Sequence, residues 1–290
     1  MLTLSQLING IQIGSIYALV ALGYSLVYGI VKLINFAHGE IIMVGSYAAF
    51  FMISKAGLHP VIAVIVTILF CAALGMTIEK LAYKPLRGAA RISLLITAIG
   101  ISLLLQNLVQ LLFTPNPRMF QNLFPGQVNI GDLYISLATV VTIVVSMLMM
   151  IFLSVLVNKT RMGKAMRAVS EDNQAAQLMG ININTTISFT FALGSALAAV
   201  ASILYCSSYS QISPTMGSML GLKAFVAAVL GGIGSIPGAV LGGFVIGIVE
   251  SFTKAYISST LADAIVFFIL IVVLLIKPAG ILGKNTNEKV

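Results

Sequence analysis

The sequence predicts an all-α fold: a polytopic transmembrane bundle of about eight helical spans, with one short broken or re-entrant segment and an internal pseudo-repeat. Three observations predict it. Of the 290 residues, 59% are hydrophobic and only 8% charged, whereas soluble globular chains carry roughly 25% charged residues. A surface in water stays largely wettable, so a soluble core of this size has no place for so much apolar area; a lipid-facing surface removes that limit. The apolar residues also come in runs of membrane-crossing length, and the basic residues gather in the gaps between the runs.

A bilayer core of about 30 Å takes roughly 20 helical residues. Suitable runs fall at 7–32, 39–54, 61–79, 92–113, 135–157, 187–209, 234–251 and 262–276, while 218–230 is too short unless it is a half-helix. None shows the two-residue alternation of a barrel strand, so helices are the spanning elements. The whole chain, 1–290, reads as a single membrane domain with two substantial loops, 114–132 and 158–184.

Orientation follows from the bases. Lys80, Lys84, Arg87 and Arg91 crowd one short loop, Lys159, Arg161, Lys164 and Arg167 another, and Lys277, Lys284 and Lys289 the C-terminal end. The 114–132 loop holds only Arg118 and Asp132, with Pro115, Pro117 and Pro125. The positive-inside rule then puts the basic loops and the C-terminus in the cytoplasm and 114–132 outside. That scheme requires 218–230 to cross or re-enter, and leaves the side of the N-terminus open.

Several function classes drop out. The net charge of +8 sits in loops between apolar runs, which argues against nucleic-acid binding. Residues 1–10 lack a basic n-region, so no cleavable leader is expected. Cys71 and Cys206 lie inside apolar runs, which supports neither a disulfide framework nor a metal site. No G-x-x-x-x-G-K-[ST] and no hydrolytic triad occurs, so no cofactor and no catalytic group is expected. Active transport by this chain would draw its energy from another chain or from an ion gradient.

Two stretches break the apolar pattern: 29–40, containing Asn35, His38, Gly39 and Glu40, and 231–238, containing Gly231, Gly232, Gly234 and Ser235. Each precedes a helix rich in small residues. Broken segments in matching halves point to a structural repeat around a transport path; two ordinary loops are the plain alternative. His38 and Glu40 are two apart, which separates them on a helix, so they make no local acid–base dyad. The first break either lines a hydrated path or forms a boundary turn in which Asn35 or His38 caps the next helix. Gly234, Gly238 and Gly242, and again Gly243 and Gly247, recur at the spacing that lets helix backbones approach in lipid. Lys223 and Lys254 are expected to snorkel to the headgroups, and Glu250 to pair with a cation inside the bundle.

The 158–184 loop predicts a short helix, with Ser170 as its cap, Glu171 and Asp172 in its first turn and Gly180 ending it. Its small and apolar residues suit docking into a partner's groove, and its flanking bases also suit membrane lipids. Within it, the run Gln174, Ala175, Ala176, Gln177, Leu178, Met179, Gly180 resembles the EAA-x-x-x-G coupling motif of ABC importer permeases, with Gln174 where Glu is usual. Together with 34–40 and 223–239, it makes the chain resemble the LivH-type permease of high-affinity branched-chain amino acid transporters, over about residues 9–283.

That resemblance implies a non-enzymatic subunit of the bacterial inner membrane. It would work beside a LivM-type second permease, two ATPase subunits and a soluble binding protein that delivers leucine, isoleucine or valine. Arg167, Glu171, Ala175, Ala176, Leu178, Met179 and Gly180 would couple it to the ATPases. Asn35, His38, Gly39, Glu40, Gly231, Gly232, Gly234 and Ser235 would lie on the path. A urea or short-amide importer permease, an ion-coupled secondary carrier and a passive channel are the competing readings.

Overall fold

A computed structural model describes residues 2–32, 34–131 and 133–283. Leu33 of the 29–40 stretch, and Asp132, Lys284 and Lys289 named above, lie outside the described residues. In chain order the helices are α1 (Leu2–Val31), α2 (His38–Ser54), α3 (Pro60–Ile78), α4 (Arg91–Phe113), α5 (Leu137–Lys159) and α6 (Arg161–Glu171). They continue with α7 (Asn173–Leu178), α8 (Ile183–Tyr209), α9 (Met216–Gly231), α10 (Ile236–Tyr256) and α11 (Leu261–Ile276). A π-turn at Glu79–Tyr83 and a 3-10 turn at Lys84–Leu86 prolong α3.

Helices α1, α3, α4, α5, α8 and α10 are long and apolar enough to cross a membrane. The others that follow the bundle axis are shorter: α2 has 17 residues, α9 and α11 have 16 each. The fold is not purely helical. Among the described residues are four short strands, β1 (Arg118–Met119), β2 (Gln127–Ile130), β3 (Leu133–Ser136) and β4 (Gln211–Ile212). The antiparallel β2–β3 hairpin takes in Ile135, which the apolar pattern alone assigns to a span. The β1–β4 pair joins the 114–132 loop to the end of α8.

Local chemistry fixes the helix starts. Pro60 and Pro237 occupy first-turn positions, where a missing N–H costs nothing. Asn182 accepts from the Thr185 amide at 3.1 Å, and Ser235 from the Gly238 amide at 3.2 Å.

Helix α1 is the axis of the molecule. It is buried without interruption from Gly14 to Val27, which explains why it is apolar on every side rather than on one stripe. It packs most extensively against α10, then α8, α9 and α5. Contacts of Gln6 with Ser251 near one end and of Gly29 with Gly234 near the other make α1 and α10 antiparallel. The two elements touch through bare backbone. A Cβ on Gly10 would stand 2.8 Å from the Ile248 Cα, and one on Gly14 2.9 Å from the Phe244 Cα. In return, Gly243 lies on Ala18 and Gly247 on Gly14. Gly243 and Gly247 therefore carry the packing role that their spacing predicts, and Gly10 and Gly14 supply the other half of the contact.

The bundle has two distinct ends. One carries the strands, the other the α6–α7 pair. A long helix is followed by a connecting segment and a shorter helix between α1 and α2, and again at 210–215, which holds β4, before α9. The second of these is not the Gly-rich 231–238 stretch that the sequence pattern singles out. Gly247→Leu forces apart the α1 and α10 backbones, and overpacking of this kind costs about 3 kcal/mol. The expected outcome is a clearly lowered thermal midpoint of the detergent-solubilised protein, with Leu241→Ala on the exposed face of α10 nearly neutral.

Candidate functional sites at the α6–α7 surface and the α2–α9 junction

Thr160 starts α6 by accepting from the Gly163 amide at 3.0 Å, and Gly163, Met166 and Val169 turn its apolar face inward. The helix expected around 171–180 is divided differently. Ser170 lies inside α6 and donates to the Arg167 carbonyl at 2.7 Å, and Glu171 is the last residue of that helix. Asp172 is the cap of α7, accepting from the amides of Gln174 at 2.7 Å and Ala175 at 3.0 Å. Ser170 is already helical within α6, whereas Asp172 has the extended backbone that a cap needs, so Asp172 takes the free amides. Gly180 ends the helix with φ +81°, a conformation a side chain would strain.

The docking candidates then separate. Leu178 and Met179 are 89% and 83% exposed, while Ala176 is 3% exposed and belongs to the hydrophobic core. Ala176 therefore anchors α7 on the bundle and contributes to the floor of the groove described next more than to the outer surface. Arg167 bonds back to Asn158, and with Glu171 and Ala175 it remains exposed. A groove of about 560 Å³ lies between α6 and α7, walled by Ala165, Ala168, Ala175 and Met179, with Arg161 and Lys164 at its rim.

The first break has a different construction. Ala37 precedes α2 and makes no side-chain cap bond, so neither Asn35 nor His38 caps that helix. The Asn35 side chain accepts from the Tyr83 hydroxyl at 2.7 Å. His38 turns toward α1, against Gly23, with its ring edge-on to Tyr24 at 4.8 Å. Glu40 turns the other way, and its Oε1 accepts from Ser218 of α9 at 2.7 Å and Ser102 of α4 at 3.2 Å. All three are buried. Gly39 lies against Gly217 and Gly221, so the first turns of α2 and α9 meet backbone to backbone.

Gly231, Gly232, Gly234 and Ser235 do not join this group. Gly231 is the last residue of α9 and the others follow it, at a helix end that at 1.5 Å per residue is about 15 Å from Gly221. There the Gly231 carbonyl accepts from the Leu282 amide at 2.9 Å, Gly232 packs on Gly280 and Gly283, and Ser235 serves as the α10 cap. Sequence reasoning also passes over Ser102, Gly217, Ser218 and Gly221. A Gly-Ser pair followed four residues on by a second glycine was the available signal.

The comparisons fit this architecture. The family model described as branched-chain amino acid transport system / permease component matches residues 6–275. The chain belongs to that family. A high-affinity branched-chain amino acid transport system permease protein, BraD, from Pseudomonas aeruginosa is 44% identical over 99% of this chain and 98% of its own length. The like-named LivH of Escherichia coli is 44% identical over 99% and 97%. A chain of PsaBC from Streptococcus pneumoniae in complex with Fab shares the fold, with TM-score 0.51, 15% identity and 93% and 91% coverage.

Two further clusters hold charge inside this membrane permease. Glu79, fully buried in the π-turn, pairs with Arg87 and accepts from Ser188 at 2.5 Å, and Arg87 reaches Asn184 at 2.6 Å. Glu250 accepts from Tyr17 at 2.6 Å, Lys223 at 2.8 Å and Lys254 at 2.6 Å, and Lys223 also meets Asp263 at 2.6 Å. Glu250 thus has the cation its burial calls for. Lys223 does not snorkel: it is turned inward to tie α9 to α10 and α11. Removing the shared acceptor strands buried donors, so Glu250→Leu should destabilise the permease by about 3 kcal/mol. Lys254→Met, at the half-exposed edge, should cost less than about 1 kcal/mol. Thermal unfolding in detergent measures both, and equal effects would contradict the unequal roles.

Proposed function

We propose that this permease forms one half of the translocation unit of an ATP-driven importer for leucine, isoleucine and valine. Its companions are a second permease of LivM type, two ATPase subunits and a soluble binding protein. The observation that carries this reading is the near-complete alignment with permeases named for that substrate class. The exposed Leu178 and Met179 beside the α6–α7 groove supply what a coupling surface needs: apolar contacts on a short, capped, rigid element. ATP-driven closure of the partner subunits would press on α6–α7, and no residue of this chain would touch the nucleotide.

In this reading the end bearing α6–α7 and the basic loops is cytoplasmic and the strand end is outside. Helix α1 then runs inward, the connecting segment with α2 returns, and α3, α4, α5, α8, the 210–215 segment with α9, α10 and α11 alternate. The sum is the eight spans and one broken segment expected from the sequence, with the N-terminus outside and the C-terminus in the cytoplasm. Helices α1–α4 and α8–α11 become an inverted pseudo-repeat. Each is a long helix, a connecting segment, a short helix and two further helices, and the two short helices meet at Gly39 and Gly217. The path follows that meeting point, with Asn35, His38, Gly39 and Glu40 beside it. Gly231, Gly232, Gly234 and Ser235 shape its cytoplasmic end.

Reconstitution of the complete complex tests the reading. Leucine uptake should require ATP and binding protein, and should persist without any proton or sodium gradient. Uptake by this chain alone under a gradient would favour a secondary carrier, and urea uptake in place of leucine the amide branch. Leu178→Glu combined with Met179→Glu should lower coupled uptake by roughly a hundredfold, since two charges then replace the apolar anchors of an interface centre, while membrane insertion is unchanged. Gly180→Asp should act through strain at positive φ, weakening coupling by a smaller factor. Undiminished coupled uptake in the double variant removes α7 from the coupling surface.

A further inference from the structure

Three carboxylates are buried in the described bundle: Glu40, Glu79 and Glu250, each at 1% exposure or less. Glu79 has Arg87, and Glu250 has Lys223 and Lys254. Glu40 has no cation within ion-pair distance among the described residues. Its Oε1 holds two serine hydroxyls and its Oε2 has no hydrogen-bond partner at all.

Depth makes this arrangement costly. Ser102 lies halfway along the 23-residue α4, so the carboxylate that it touches sits near the middle of the bundle. An ionisable group there is expensive and is kept where it meets a partner. The surroundings nonetheless favour an anion. Glu40 lies in the first turn of α2, and Ser218 in the first turn of α9, so two positive helix ends converge on it. Gly217 makes room for it: a Cβ there would stand 2.8 Å from Oε2. Both serines are only partly buried, which leaves the carboxylate one side chain beneath the surface between α4 and α9.

We propose that Glu40 is the acceptor for the α-ammonium group of the transported amino acid, with Oε2 as the receiving oxygen and Ser102 and Ser218 as the hydroxyls that part to admit it. This rests on the importer reading above and specifies its substrate contact. The ammonium supplies the cation that the protein withholds. The apolar side chains of Met219 and Leu222, exposed on the same helix as Ser218, offer contact to a branched aliphatic tail. A primary ammonium is selected over an amide such as urea, because an uncharged donor leaves the buried carboxylate uncompensated.

The test uses the complete complex in liposomes, as wild type, Glu40→Gln and Glu40→Asp. Glutamine keeps the shape and the serine bonds but loses the charge. Leucine uptake should fall roughly tenfold or more, as expected when a charge-assisted contact is lost, and aspartate should retain part of it. The thermal midpoint of Glu40→Gln should equal or exceed wild type, since an unpaired buried charge has been neutralised; a merely structural residue would lower it. In a second measurement, without binding protein, leucine should raise the midpoint of the wild-type complex while 4-methylpentanoate, which lacks the ammonium, should not.

Wild-type leucine uptake with Glu40→Gln uptake at the same level overturns this proposal alone. Equal stabilisation by the two ligands, or none by leucine, overturns it as well, even if the glutamine variant fails to assemble. A wild-type complex that imports no leucine overturns the importer reading, and this proposal with it.

Discussion

Lipid gives apolar side chains no reason to prefer one another over the acyl chains around them, so a membrane bundle is held by closeness of contact and by its few polar bonds. The approach of α1 to α10 through Gly10, Gly14, Gly243 and Gly247 is the contact on which this molecule depends. It brings Tyr17 within reach of Glu250, which in turn holds Lys223 and with it the short helix α9. It also seats α1 deeply enough for Gly23 and Tyr24 to receive His38, which fixes where α2 begins. The junction at Gly39, Gly217 and Gly221 is therefore positioned by two packed interfaces, neither of which it contains.

The polar groups in the bundle differ in completeness. The Glu79 and Glu250 clusters pair each carboxylate with cations and hydroxyls, as buried charge requires. Their effect is to join elements: Glu79 and Arg87 link the π-turn after α3 to the start of α8, and Tyr83 carries that turn to Asn35 ahead of α2. Two separate sets of polar bonds, joined through the backbone of the π-turn, therefore tie that turn to the start of α8 on one side and to the segment ahead of α2 on the other. Glu40 belongs to neither set: among the described residues its side chain bonds to Ser102 and Ser218, and one oxygen is unclaimed.

Much of this architecture was legible in the sequence, and the rest was hidden for definable reasons. Long apolar runs gave α1, α3, α4, α5, α8 and α10, because a span has to be apolar whatever packs on it. The end of α7 at Gly180 was readable from its local conformational demand. The cap was misplaced by two residues, since Ser170 and Asp172 are both competent and only the backbone geometry chooses between them. Ala176 looked like a surface residue because alanine carries no signal of side. The pairing of the segment before α2 with 210–215, rather than with 231–238, could not be read: glycine content marks close approach of backbone, and at 231–238 that approach is of Gly231 to Gly238, of Gly234 to Gly29, and of Gly231 and Gly232 to 279–283. Glu40 was visible as a polar residue in an apolar context, but its lack of a cation depends on what α4 and α9 bring beside it.

The central place of α1 also sets a condition on how the chain is made. Its glycine-lined face waits for Gly243 and Gly247, roughly 230 residues later, and at about 5–20 residues per second that is a delay on the order of tens of seconds. Throughout that time a helix destined to be enclosed on all sides sits with its small-residue groove open to lipid or to the insertion machinery. Biogenesis of this permease is thus a matter of shielding its first span until nearly the last one arrives, and defects in the α1–α10 seam should surface as loss during membrane insertion before they surface as loss of transport.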